Sequence, residues 1–170
     1  MILALVDAGT SRTRLRLWDG GVIWEGSRSV GAADVARAGN PTPLENALAE
    51  LLEEARVIAN VAAVVLSGMI TSNVGLIEVP HLRAPVSFDA LARGVVRHLH
   101  PRLGELHLIP GVKTLPPALT PDTLFEADVM RGEEVEVVGL RELLKLSGPV
   151  TFAHFGSHSK IVWMDAAETI

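Results

Sequence analysis

Apolar and polar positions alternate through the opening segments of the chain and then change period. Ile2–Ala8 is apolar up to Asp7, Thr13–Trp18 sets Leu15 and Leu17 against Arg14 and Arg16, and Val22–Ser29 follows the turn Asp19-Gly20-Gly21. This pattern predicts three strands in an antiparallel meander. From Leu44 the spacing becomes helical, with Ala47, Leu48, Leu51, Leu52, Ala55 and Ile58 on one face. Thr42 is the expected N-cap, with Pro43 at the first helical position and Glu45 three residues on from Thr42. Val61–Ser67 is a continuous apolar run, as a buried parallel strand requires. A second helix is predicted over Phe88–His98, a short strand over Leu106–Ile109 and a third helix over Val129–Lys145, with Gly132 and Gly139 as its weak points. Val150–Phe155 and Lys160–Asp165 form a closing hairpin around Gly156-Ser157-His158. The predicted order is β-β-β-α-β-α-β-α and then the hairpin, an α/β arrangement.

Composition narrows this picture. The 170 residues suffice for a real core, and 48% apolar with 21% charged residues is globular. No apolar run approaches the roughly 18 to 20 residues of a membrane span, and Met1 leads into a strand without a basic flank, so no signal peptide and no membrane partner are expected. Cysteine is absent, which excludes disulfides and thiolate metal sites and fits a cytoplasmic protein. A net charge of −5 and 4% aromatic residues speak against a nucleic-acid surface. Arg12, Arg14 and Arg16 recur at period two, as on a solvated strand face. The histidines show no ligand-like grouping, so no zinc site is assigned.

Candidate chemistry begins at Asp7-Ala-Gly-Thr-Ser11. Gly9 lets the backbone approach a ligand, and successive amides around Gly9, Thr10 and Ser11 can form an anion nest. Asp7 beside that nest suits a divalent cation or its waters. Together they point to Mg-nucleotide chemistry. An ordinary turn uses the same residue types for local reasons.

Five stretches carry a resemblance: Asp7-Ala-Gly-Thr-Ser-Arg-Thr-Arg-Leu-Arg-Leu-Trp18, Ser67-Gly-Met-Ile-Thr-Ser-Asn-Val-Gly75, Ile109-Pro-Gly111, Asp128-Val-Met-Arg-Gly-Glu-Glu134 and Gly156-Ser-His-Ser-Lys160. The chain resembles the 2-dehydro-3-deoxygalactonokinase family, within the actin-like ATPase fold shared by hexokinase, sugar kinases and actin. Ala8 stands where that family often has a bulky aromatic, and Phe155 where a proline is common. Family members are about twice this length, so the chain reads as a fragment or a shortened relative. The resemblance implies a ribonuclease-H-like lobe with a mixed five-stranded sheet over residues 1–148, and the first hairpin of a second lobe over 149–170. It implies ATP and Mg²⁺ as cofactors and a small-molecule sugar acid as substrate, with an oligomer left open. The alternatives are a non-catalytic sugar- or partner-binding module and a kinase for another sugar such as an N-acetylhexosamine.

The resemblance also implies roles. Asp128 is expected to take the substrate's hydroxyl proton, an N-cap at the third helix being the plainer reading. Asp7, Gly9, Thr10, Ser11, Gly156, Ser157 and Lys160 would hold the nucleotide, with Asp7 orienting Mg²⁺ through water. Ser72, Asn73, Arg131 and His158 would bind the sugar acid. For Ser72 and Asn73 loop capping is an equal alternative, and for Arg131 an internal salt bridge.

Overall fold

A computed structural model describes residues 1–156 and 159–170. Along the chain run β1 (Leu3–Ala8), β2 (Thr13–Trp18), β3 (Val22–Arg28), α1 (Ala32–Ala38), α2 (Thr42–Ile58), β4 (Ala63–Gly68), β5 (Leu82–Arg83), α3 (Phe88–Arg93), β6 (Val96–His100), β7 (Gly104–Leu108), β8 (Val112–Thr114), β9 (Asp128–Met130), α4 (Glu133–Leu144), β10 (Val150–Phe155) and β11 (Ser159–Met164). The described residues group into two compact units, Met1–Val79 with Val95–Pro110, and Pro80–Gly94 with Gly111–Ile170. The hairpin expected to open a second lobe belongs to the second of them.

The first unit is built on a mixed six-stranded sheet in the order β3-β2-β1-β4-β7-β6. The predicted meander forms as β1, β2 and β3, antiparallel throughout. β4 then pairs parallel with β1, and β7 parallel with β4. Ala4, Val6 and Ala8 of β1, Leu15 and Leu17 of β2, and Val64 and Leu66 of β4 are buried, as the alternation required. Leu44, Leu48, Leu51, Leu52 and Ala55 of α2 complete this core. Each such leucine contributes about 1.5–3 kcal/mol of burial. Gly26 of β3 lets α2 lie close, because a Cβ there would come within 2.9 Å of Leu51 Cδ2. Arg28 ties the same strand to Glu50 and Glu54 of α2 at 2.9 and 2.5 Å. Arg16 pairs across the strands with Glu25 at 2.5 Å, as suits a solvated face.

The sheet corrects the five-stranded expectation. The helix predicted over Phe88–His98 ends at Arg93, and Gly94 follows as its C-cap. Val96–His100 then pairs antiparallel with β7 and supplies the sixth strand. β-Branched Val95 and Val96 disfavour the helix, and pairing with the next strand, β7, rewards the break. α1 had no counterpart in the predicted order. Thr42 is the first helical residue of α2, not its cap, and Asn40 Oδ1 accepts the Thr42 N–H at 3.0 Å instead.

The second unit is less regular. β5, β8 and β9 form a three-stranded sheet with β8 central, parallel to β5 and antiparallel to β9. β10 and β11 form the predicted hairpin. Val137 of α4 packs with Val162 and Met164 of β11 and with partly buried Phe88, Met130, Val150, Phe152 and Ile170. Buried Arg141 donates to Glu168 Oε1 at 3.3 Å and the Gly148 carbonyl at 3.1 Å. The helix predicted over Val129–Lys145 begins later, at Glu133, because Gly132 has φ of 114° and Asp128–Met130 is claimed by β8 as a strand. No helix among the described residues is long and apolar enough to cross a membrane.

Candidate active site

The turn after β1 is fixed from inside the protein. The Gly9 N–H donates to the Arg12 carbonyl at 2.9 Å and closes the turn. The first amides of α1 then bind its carbonyls, Ala32 N–H to Gly9 O at 3.1 Å and Ala33 N–H to Thr10 O at 2.8 Å. Gly31 makes this docking feasible, since a Cβ there would sit 2.6 Å from Gly9 O and Ser11 N. Buried Thr13 anchors the far side by donating from Oγ1 to Val30 O at 2.8 Å. Gly9 itself is not required by internal packing, because a Cβ there would meet only Arg12 O at 3.8 Å. Its amide is spent on the turn. The amides of Thr10, Ser11 and Arg12 take no acceptor among the described residues, and the Thr10 and Ser11 side chains are exposed. A set of free amides with two hydroxyls is suited to an anion.

Asp7 is exposed near the end of β1, level with Ser67 of β4. Gly68, with φ of 81°, passes beside it, and a Cβ there would lie 3.1 Å from Asp7 Oδ1. No cluster of three or more metal-ligating residues occurs among the described residues. One carboxylate with neighbouring hydroxyls fits Mg²⁺, which usually takes one or two carboxylates and fills its shell with phosphate oxygens and water.

Beyond β4 the loop is rigidly closed. Thr71 Oγ1 donates to Gly68 O at 3.1 Å and Ser72 Oγ to Met69 O at 2.7 Å. Gly75 lies against the Met69 and Ile70 carbonyls, 2.3 and 2.4 Å from where a Cβ would stand. Ser72 is buried with its hydroxyl proton engaged in this turn, and Asn73 is the exposed member of the pair.

In the second unit Asp128 opens β9. It is no helix cap, since that position belongs to Gly132. Thr114 Oγ1 of β8 holds its N–H at 3.1 Å. Its Oδ1 accepts the Val129 N–H at 2.8 Å and the Lys160 ammonium. Burial pushes the Asp128 carboxyl up, but Lys160 and the Val129 amide outweigh it and hold the group below the ordinary carboxylate range. Asp128 and Lys160 line a cleft of about 140 Å³ walled by Val112, Met130, Val162 and Trp163.

Arg131 precedes α4 and does not lie within its first turn. Its N–H donates to Glu133 Oε2 at 2.9 Å, and Nη2 lies 3.1 Å from both ring nitrogens of His81. An atom so close to both nitrogens lies over the ring face, because Cε1 occupies the edge between them. Glu134 is fully buried and accepts the Gly132 N–H at 2.9 Å. Burial drives its carboxyl up to about 7. No motif marked His81, a single histidine between Pro80 and Leu82. For Glu134 the signal was an acidic pair at a helix start, which the helix dipole explains without burial. Gly156 is exposed at the hairpin turn, and Ser157 and His158 lie outside the described residues.

Comparison with known proteins bears on the family and the fold. A family model described as 2-keto-3-deoxy-galactonokinase matches residues 7–169. The chain belongs to this family. The 2-dehydro-3-deoxygalactonokinase of Escherichia coli K12 is 29% identical over 164 residues, which is 96% of this chain and 49% of that protein. A Sinorhizobium meliloti protein provisionally named a 2-dehydro-3-deoxygalactonokinase superposes with a TM-score of 0.76 at 24% identity, over 98% of this chain and 51% of that one. The Aquifex aeolicus PPX-GPPA enzyme gives 0.51 at 16% identity, over 99% and 50%. These two structures bear on the fold alone, an α/β fold with mixed sheets. The chain spans about half the length of the galactonokinase relatives it matches.

Proposed function

We propose that this chain is the N-terminal part of an ATP-dependent sugar-acid kinase, acting on the terminal hydroxyl of 2-dehydro-3-deoxy-D-galactonate. Its first unit is read as an actin-like ATPase lobe, and the β10–β11 hairpin from residue 149 as the opening of the second lobe. The carrying observation is Asp128. It is ionised at neutral pH, it lines a cleft, and Oδ2 takes no donor among the described residues. A carboxylate in that state can accept a proton.

The proposed reaction needs little more than positioning and charge. As the substrate hydroxyl oxygen attacks the γ-phosphorus, Oδ2 of Asp128 takes its proton and the bond to the β,γ-bridging oxygen breaks, releasing ADP. The turn of Gly9, Thr10 and Ser11 holds phosphate through amides and hydroxyls. Asp7 would hold Mg²⁺, and the ion would supply neutralisation of phosphate charge. Gly156 and Ser157 belong to the second phosphate turn in this reading, while Lys160, just beyond it, is engaged by Asp128. Arg131 offers a forked donor to the sugar acid's carboxylate. Asn73 and, through its remaining acceptor capacity, Ser72 serve the hydroxyls, with His158 beside the acid.

The test is Asp128→Asn in a chain extended to the family's full length. Turnover should fall about 10²- to 10⁴-fold while calorimetric binding of the sugar acid persists. A variant within twofold of wild type removes Asp128 from this role. The 170-residue chain alone should bind the acid weakly and release no ADP, because closure around both substrates takes more of the family's length. Sustained sugar-dependent ADP release by the short chain counts against that.

A further inference from the structure

We propose that Lys160 is the positioning residue of Asp128: its ammonium clamps one carboxylate oxygen and leaves the other for the substrate hydroxyl. This rests on the kinase reading above.

Asp128 is held by two different elements. β8 fixes its backbone through Thr114 Oγ1 at 3.1 Å. β11 fixes its side chain through Lys160. The two donors on the carboxylate, Val129 N–H and Lys160 Nζ, converge on the same oxygen, Oδ1. A carboxylate gripped on one oxygen has its second lone-pair set directed and unspent. The burial is lopsided in the sense this role needs. The Lys160 side chain is 16% exposed and that of Asp128 62%. The lysine is packed in as a fixture and the aspartate faces outward.

The other charged groups nearby do not do the same work. Lys113 also lines the cleft, but alternation along β8 puts it on the face opposite Thr114, with which Asp128 pairs in register. His154 stands across the hairpin from Lys160, but its Nδ1 is engaged with Glu136 Oε2 at 2.6 Å. Glu126, two residues before Asp128, gives Thr114 its carbonyl rather than a side chain. Arg131 bonds His81. Met130, Val162 and Trp163 line the same cleft as the pair. A lysine this engaged is not simply a spare phosphate ligand.

Two measurements decide it. In the 170-residue chain, the carboxyl carbon of Asp128 is titrated by NMR, with Asp128→Asn to assign the signal. In wild type it titrates below the usual aspartate value. In Lys160→Met the titration moves up, since burial persists and the ammonium is gone. Lys160→Arg, charged throughout, restores the low value. An unmoved titration in Lys160→Met overturns the proposal. In the family-length enzyme, Lys160→Met shifts the acid limb of the kcat/KM profile upward and lowers kcat by up to about 100-fold, with KM for ATP within twofold. A raised KM for ATP with an unmoved acid limb overturns the proposal and assigns Lys160 to the phosphates. A wild-type enzyme that phosphorylates no sugar acid refutes the kinase reading alone, because the NMR titration needs no turnover.

Discussion

The two compact units hold their chemistry in opposite ways. In the first, a continuous core of β1, β2, β4, β7 and α2 side chains fixes the sheet, and the Asp7–Ser11 turn hangs from its end on backbone hydrogen bonds. In the second, the buried apolar set is smaller, Val86, Leu91, Val112, Val137, Val162 and Met164, and polar groups share the structural role. Glu134 and Arg141 are buried there, Thr114 staples two strands, and Phe125, Phe155 and Ile161 are 82%, 86% and 79% exposed. Apolar packing places the strand end in the first unit, whereas in the second a buried carboxyl and a lysine-held carboxylate have their ionisation shifted by their surroundings. The second unit places charges with charges, and it is correspondingly sensitive to pH.

The comparison breaks first in the core. Leu48→Ala, at a fully buried α2 position, should cost about 2–5 kcal/mol and lower the urea midpoint reported by Trp24. Trp163 should register little of that loss if the units unfold independently. A joint shift of both tryptophan signals would show one cooperative block.

The next effect belongs to Glu134. Its carboxyl is raised from 4.5 unfolded to about 7 folded, so the native state binds the proton more tightly. Its stabilising share is complete below pH 4.5 and is lost as pH rises to about 7, roughly 3 kcal/mol across that window. Glu134→Gln should flatten the pH dependence of the Trp163 transition in this range. An unchanged slope means that Glu134 is not the group responsible.

A smaller effect separates two glycines in the first unit. Gly31→Ala drives a Cβ to 2.6 Å from the turn backbone and should destabilise by about 1–3 kcal/mol. Gly9→Ala meets nothing closer than 3.8 Å and should leave thermal stability within about 0.5 kcal/mol. Its cost should instead appear in Mg-ATP affinity, where a methyl obstructs approach to the turn. If Gly9→Ala also keeps full nucleotide affinity, the turn is only a turn.

Much of the first unit was legible in the sequence, because its signals are local. Alternation marked β1 to β3, the Asp-Gly-Gly turn joined two of them, and a helical stripe marked α2. What was missed depended on what each segment pairs with or docks on. Val96–His100 carries on a helical pattern and becomes a strand only because β7 needs an edge. α1 is seven residues long and is held by the turn it docks on, which no window on the chain can see. For the candidate site, motif order picked out Asp7, Asp128, Arg131 and Lys160, but not their geometry. The helix-start position given to Asp128 failed because Gly132 breaks the helix. The ion pair with Lys160 joins residues 32 positions apart, and His81 lies 50 from Arg131. Neither spacing leaves a trace in local pattern.

The docking of α1 on the Gly9–Ser11 turn has a thermodynamic consequence. A loop that wanders in solution must be immobilised when an anion arrives, and that loss of conformational entropy is subtracted from the affinity. Here the immobilisation has already been charged to folding, through two amides of α1 and the absence of a side chain at Gly31. In the proposed function the turn would meet its phosphate preorganised. The helix that no pattern announced would thereby set how tightly that phosphate is held without adding a single contact to it.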